Sequence, residues 1–156
     1  MSAKLFASAV EGLYSTDPCR YGYSADKNHA SGYYPTHTPI TKDEAEAVQD
    51  FLEANDILAE NTRLLKSQAD ASVSFNLLIA SAEQGWVPVL KTPPQLNLPG
   101  NPTISIQTGD HSDVLRKIME ELRLARSHVA NEEQGLMVDA LLESFRIGNS
   151  MAFKAA

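Results

Sequence analysis

The sequence predicts an α+β fold that is rich in helix, with a small antiparallel sheet and a helical hairpin at the C-terminal end. Two observations predict this class. Apolar residues recur at helical spacing after Thr41 and again after Asp110, and they alternate with polar residues between Ser72 and Ser81. The 156 residues suit one domain, and 43% hydrophobic with 21% charged residues is typical of a globular chain.

Composition also limits the partners and the location. The formal net charge of −7 argues against nucleic acid as a partner, because an acidic protein repels phosphates. No apolar run reaches the roughly 20 residues that span a bilayer, which argues against a membrane partner. The single cysteine, Cys19, excludes an internal disulfide and agrees with a reducing compartment. We therefore expect a cytoplasmic protein.

The N-terminal part is predicted to be a helix followed by a long loop. Residues 1–14 are interpreted as an amphipathic helix rather than a secretion signal, because the apolar stretch is short and Glu11 follows it. Residues 15–40 contain three prolines, two glycines and four tyrosines. The prolines and glycines predict a long loop, and the tyrosines indicate that it packs on another part of the protein.

A helix is predicted to begin after Thr41, because Thr41 and Glu44 have the spacing of a capping box. Its apolar face consists of Val48, Phe51 and Leu52. Asn55 and Asp56 are expected to end it.

Two strands are predicted next, the first from Asn61 to Lys66 and the second from Ser72 to Ser81. The second alternates apolar and polar residues with one exception, Leu78, as expected of a half-buried strand. Residues 67–70 are short enough to join the two strands as a hairpin.

The C-terminal half begins with residues 85–102, whose five prolines predict a second long loop. A short strand is expected from Thr103 to Gln107.

Beyond Gly109-Asp110, a helix is predicted to run to a stop at Asn131, and a second helix from Glu132 to the C-terminus. Two sets of apolar positions at helical spacing carry these predictions, namely Val114, Leu115, Ile118, Met119, Leu122, Ala125 and Val129 in the first helix, and Met137, Leu141, Phe145, Gly148 and Ala152 in the second. Because that pattern still runs at Ala156, we expect a piece of a longer chain.

No candidate catalytic centre emerges from the motifs. The histidines are His29, His37, His111 and His128; none is followed by Glu, and no two lie three to five residues apart. That spacing does not suit a helical zinc site. The sequence also has no Gly-x-Ser-x-Gly elbow and no glycine-rich phosphate loop. We therefore assign no catalytic, cofactor-binding or metal-binding residue.

Several short stretches nevertheless occur together in a specific order along almost the whole chain, and helical or strand periodicity does not require their polar residues. They are Gly22-Tyr23, Ser31-Gly32-Tyr33-Tyr34-Pro35, Ile40-Thr41-Lys42-Asp43-Glu44, Val48-Gln49-Asp50-Phe51-Leu52, Asn61-Thr62-Arg63-Leu64, Lys66, His128-Val129-Ala130-Asn131, Gln134, Met137, Glu143-Ser144-Phe145 and Gly148. In this combination the chain resembles the dipeptidyl peptidase III family of zinc peptidases.

The resemblance implies a part of a larger, two-lobed, cytosolic enzyme that removes dipeptides from the N-termini of short peptides. Members of that family hold zinc through a His-Glu-x-x-x-His helix and a further Glu in the upper lobe. Residues 1–156 resemble a single partial domain that precedes this region and belongs to the lower lobe. Zinc is therefore expected in the full-length parent enzyme and not in this chain.

The resemblance leaves three interpretations of function. The first is a non-catalytic segment that scaffolds the peptide cleft, with the remainder of the parent enzyme as its partner. The second is a standalone binding or interaction module derived from the family, whose exposed apolar faces bind a partner or self-associate. The third is a small enzyme with a site that its motifs do not reveal.

Overall fold

The computed structural model describes Val10, residues 32–35, 38–69 and 72–149, and Met151. These residues form three α-helices and three strands, which confirms the α+β class. In chain order the elements are α1 (Lys42–Ala54), a short 3-10 helix (Ala59–Asn61), β1 (Thr62–Ala69), β2 (Ser72–Ala80), β3 (Ile104–Asp110), α2 (Ser112–Arg126) and α3 (Glu132–Ile147). Apart from Val10, the helix predicted over residues 1–14 lies outside the described residues, as does most of the loop predicted over 15–40.

Helix α1 begins and ends where the sequence predicts. Thr41 Oγ1 accepts a hydrogen bond from Glu44 N at 3.3 Å, and Thr41 N donates to Glu44 Oε2 at 2.9 Å, so both halves of the capping box are present. Asn55 caps the C-terminal end, and Asp56 adopts a φ of 54°, which no α-helix can continue.

The three strands are ordered β1-β2-β3 in one mixed sheet. Strands β1 and β2 pair antiparallel as expected, whereas β3 pairs parallel with β2, with Ile104 opposite Phe75. The expectation of a wholly antiparallel sheet is therefore wrong for β3. Residues 81–103 separate β2 from β3, and a connection of this length lets the chain return to the opposite end of the sheet, which a short hairpin cannot do.

Strand β1 is longer than predicted. The ladder continues through Ser67 opposite Ser74 and Gln68 opposite Val73, so residues 67–69 belong to the strand and not to the connection. Leu78, the exception in the alternating pattern, lies opposite Arg63. It is on the face of β2 opposite the buried residues, because neighbouring residues of a strand point to opposite faces.

The core lies between α1 and one face of the sheet, and a residue of the long connection, Leu96, completes it. Its buried members are Ile40, Ala47, Val48, Phe51, Leu52, Leu64, Phe75, Leu77, Leu96 and Ile104. Burial of this apolar set is the main force that holds α1 on the sheet.

Helices α2 and α3 form the expected helical hairpin, but their boundaries differ from the prediction. Helix α2 ends at Arg126, and Asn131 is the N-cap of α3 instead of the stop of α2. Its side chain accepts a hydrogen bond from Gln134 N at 2.9 Å. Helix α3 ends at Ile147 and is capped by Gly148, whose φ is +71°, so the helical pattern does not run unbroken towards Ala156.

The start of α2 and the end of α3 contact the same short segment after β2, as expected of an antiparallel helical hairpin. At the end of α3, Ala82 N donates to Phe145 O at 2.9 Å. At the start of α2, Gln84 Nε2 donates to Ser112 Oγ at 2.7 Å. This segment therefore fixes the hairpin next to the sheet.

Candidate functional site

Several of the polar residues that carry the family resemblance lie where two elements meet. Arg63 in β1 reaches across β2 to Asp110, the last residue of β3, and forms two hydrogen bonds, Nε to Oδ2 at 2.7 Å and Nη2 to Oδ1 at 2.6 Å. The Asp110 side chain is only 9% exposed. Hydrogen bonding to this carboxylate raises the pKa of Arg63 above its ordinary value. The pair ties together the two outer strands of the sheet.

Asn61 makes a second tie of this kind. Its Nδ2 donates to the carbonyl oxygen of Gly148, so the 3-10 helix before β1 is joined to the end of α3. Gly148 has a positive φ, and a Cβ atom there would overlap the carbonyl oxygen of Ala80. Glycine is therefore required at this position both by backbone conformation and by space.

Lys66 makes a third tie, between β1 and the capping box of α1. Its Nζ donates to Glu44 Oε2 at 2.9 Å and to Pro39 O at 3.0 Å. Both charged side chains are at least 85% buried, since 10% and 15% of their surfaces are exposed. Glu44 thus serves the helix start and the ion pair together.

Asn131 and Gln134 act at the start of α3. Gln134 N donates to Asn131 Oδ1, and Gln134 Oε1 in turn accepts from Ala130 N at 2.9 Å. This reciprocal pair satisfies backbone donors that a helix start leaves free. These residues are thus engaged in contacts that stabilise the fold, and the two cations among them, Arg63 and Lys66, are each paired with a carboxylate.

The histidines do not form a metal site in the described part of the chain. His111 precedes α2 with its Nε2 3.7 Å from Asp110 Oδ2, and His128 lies in the turn between the helices. His29 and His37 lie outside the described residues. Among residues 38–69 and 72–149, no group of three or more His, Cys, Asp or Glu side chains is placed to hold a metal ion. Zinc therefore has no fitting ligand set in this part of the chain.

Comparison with known proteins decides the family. The profile of Peptidase family M49 matches residues 5–156, which is nearly the whole chain. The chain belongs to peptidase family M49.

The M49 chain is similar to proteins named Dipeptidyl peptidase 3. It is 36% identical to that of Dictyostelium discoideum over 139 residues, which are 89% of this chain and 18% of the relative. It is 28% identical to those of Homo sapiens and Nematostella vectensis, in each case over 96% of this chain and 21% of the relative. The chain thus spans about a fifth of the length of these relatives.

Sequence reasoning identified the resemblance but not the contacts of this M49 segment. The partners of Arg63 and Lys66 lie 47 and 22 residues away in sequence, and no periodicity connects such positions. One signal was present: a positive charge within a predicted strand beside the buried Leu64 requires a partner when the sheet folds. That signal does not say which carboxylate supplies it.

A small cavity of about 230 Å³ lies where residues 33 and 34, in the described part of the loop predicted over 15–40, meet α1 and β1. Tyr33 and Tyr34 line it together with Val48, Leu52 and Leu64. The carbonyl oxygen of Tyr33 accepts a hydrogen bond from Leu64 N at 2.8 Å. The described part of this loop therefore packs against β1, as its tyrosines indicate.

The long connection between β2 and β3 is held by a buried amide. Asn55 Oδ1 accepts hydrogen bonds from Lys91 N at 2.8 Å and Thr92 N at 3.1 Å. Its Nδ2 donates to Phe51 O and to Thr92 Oγ1, both at 2.8 Å. One side chain thus fixes the middle of the connection to the end of α1.

None of the helices that the structure describes is both long enough and apolar enough to cross a membrane.

Proposed function

We propose that this chain is a non-catalytic segment of a zinc dipeptidyl peptidase and that it helps to build one wall of the peptide cleft. The observation that carries the proposal is the use of its family-typical polar residues. Arg63, Lys66 and Asn61 are each bound to another element of the fold, which supports a framework role over a chemical one.

The proposal assigns the chemistry to the remainder of the parent enzyme. The His-Glu-x-x-x-His sequence that holds zinc in the resembled family does not occur in this chain. The parent would take short peptides as substrates, remove dipeptides from their N-termini and act in the cytoplasm. The partner of this chain would be the other four fifths of that enzyme.

A chimera tests the proposal. The matched segment of the Dictyostelium discoideum Dipeptidyl peptidase 3 would be replaced by this whole chain, and release of an arylamine from a dipeptidyl-arylamide would be measured. We expect a folded, active chimera, and neither turnover nor stoichiometric zinc for the chain alone. Turnover with bound zinc in the isolated chain would contradict the proposal.

A standalone binding module is the second candidate, favoured by exposed apolar side chains on the helical hairpin such as Val114, Leu124 and Leu136. It predicts a chain that does not restore activity in the chimera and that binds a partner or itself through the hairpin. Activity of the chimera, and size-exclusion chromatography with light scattering of the chain alone, distinguish the two candidates.

A further inference from the structure

Residues 86–90, Trp-Val-Pro-Val-Leu, form a short apolar ridge on the surface of the protein. Val87 is 60% exposed and Val89 is 91% exposed, the largest exposure of any large apolar residue in the described part of the chain. Single exposed apolar residues are common in proteins, but two such valines within a run of five apolar residues are not explained by the fold itself.

The ridge is held at both ends by hydrogen bonds. At its start, Trp86 O accepts from Thr108 Oγ1 of β3 at 2.7 Å. Just beyond its end, Asn55 accepts from the backbone N–H groups of Lys91 and Thr92. These hydrogen bonds therefore hold the backbone in the conformation that exposes the two valines. A surface that is ordered before binding loses less entropy when a partner covers it.

A cavity of about 290 Å³ lies beside the ridge. Its apolar lining includes Ile57, Leu58, Ile79, Trp86, Val89 and Ile147. The volume is at the lower end of the range for small-molecule sites, roughly 300–1,000 Å³, and suits one or two inserted side chains. The buried indole Nε1 of Trp86 has no acceptor among the described residues, so the packing around this ring lacks one hydrogen bond.

The charged side chains that the structure describes at the rim are paired with each other. Asp56, which lines the cavity, forms an ion pair with Lys91 at the end of the ridge. No uncompensated charge of either residue is left for a charged ligand, so the surface favours an uncharged, apolar occupant.

We propose that the ridge and its cavity form the surface on which an apolar segment of the remainder of the M49 polypeptide packs, with a side chain inserted beside Trp86. The proposal rests on the proposed function. The matched relatives are about five times as long as their shared part, so most of the polypeptide able to cover Val87 and Val89 lies outside it.

Site-specific labelling tests this inference. Val89→Cys would be introduced into the chain alone and into the chimera, and alkylation of that peptide by N-ethylmaleimide would be followed by mass spectrometry. We expect fast labelling in the chain alone and labelling at least about tenfold slower in the active chimera, because covered sites react only through opening. Labelling in denaturant gives the reference rate for both proteins.

A second comparison does not depend on the introduced thiol. Replacing both ridge valines by serine (Val87→Ser with Val89→Ser) should leave the thermal midpoint of the chain alone nearly unchanged and lower that of the chimera. Equal labelling rates in an active chimera would overturn the inference and leave the proposed function intact. An unfolded chimera would overturn both. Protection in the chain alone that grows with its concentration would assign the ridge to a second copy, which also overturns the inference.

Discussion

The guanidinium group of Arg63 and the carboxylate of Asp110 face each other across the central strand, with both hydrogen bonds at or below 2.7 Å. Removal of one partner would leave a charge in a place where little water reaches it. We predict that Arg63→Ala lowers the free energy of unfolding by about 3 kcal/mol, a typical cost of breaking a mostly buried pair. Urea unfolding followed by circular dichroism measures this change.

The exposed pair of Arg126 and Asp139 provides the control. It has the same two-bond geometry, with distances of 3.0 and 3.1 Å, but both side chains are at the surface. Asp139→Asn should leave the unfolding midpoint almost unchanged. Equal losses from Arg63→Ala and Asp139→Asn would show that burial does not determine the strength of these pairs.

Asn55 is predicted to control the order of the long connection. Asn55→Ala removes the acceptor of two backbone N–H groups and should cost about 2 kcal/mol, because buried polar groups are left without partners. It should also speed proteolytic cleavage within residues 86–92. Limited proteolysis with peptide mapping measures the second effect. Asn97→Ala, at an exposed site in the same connection, should change neither quantity.

A comparison of Gly148 with Gly85 distinguishes two reasons for a glycine, a positive φ and a lack of space for a side chain. Both have a positive φ, +71° and +80°, but only at Gly148 would an added Cβ meet backbone atoms. Gly85→Ala should cost about 1 kcal/mol, the usual penalty for a left-handed L-residue. Gly148→Ala should cost clearly more. Thermal unfolding of the two variants checks the order, and equal losses would exclude the close contact.

Glu143 should make the stability of α3 depend on pH. Hydrogen bonds from Arg146, Nε to Oε2 at 2.7 Å and Nη2 to Oε1 at 2.6 Å, lower the pKa of Glu143 in the folded protein. Its contribution to stability is therefore present above the ordinary pKa of about 4.3 and is lost as the pH falls through the lower folded value.

The size of this effect should be small, because the pair is largely exposed. The difference in unfolding midpoint between the natural chain and Glu143→Gln should be measurable at pH 7 and should shrink as the pH falls below the ordinary pKa of glutamate. A difference that stays constant as the pH falls would mean that charge does not cause it.

The sequence was informative where a local pattern determines the structure. The capping box at Thr41 and Glu44 predicted the start of α1, and the alternation after Ser72 predicted β2. The short connection before β2 predicted its antiparallel pairing with β1. It was not informative about the direction of β3, because alternation is the same in parallel and antiparallel strands. Asn131 can end one helix or begin the next, and only the hydrogen bond from Gln134 N decides between them.

The polar residues of the candidate site could be predicted from the sequence only through the family resemblance. The resemblance identified residues such as Arg63 and Asn61. Their roles depend on partners that are distant in sequence, Asp110 and Gly148. The apolar ridge was included in a predicted loop, since the prolines that break helices and strands carry no information about which valines stay exposed.

The parallel pairing of β3 with β2 has a consequence for the order in which the chain folds. Strands β1 and β2 are neighbours in sequence, whereas β3 can pair only after the loop of residues 81–103 has closed. Loop closure is entropically unfavourable until the long-range contacts form. We therefore expect the hairpin of β1 and β2 to form first and β3 to join the sheet late. Asp110→Asn should then accelerate unfolding while leaving the folding rate nearly unchanged, which stopped-flow kinetics can measure.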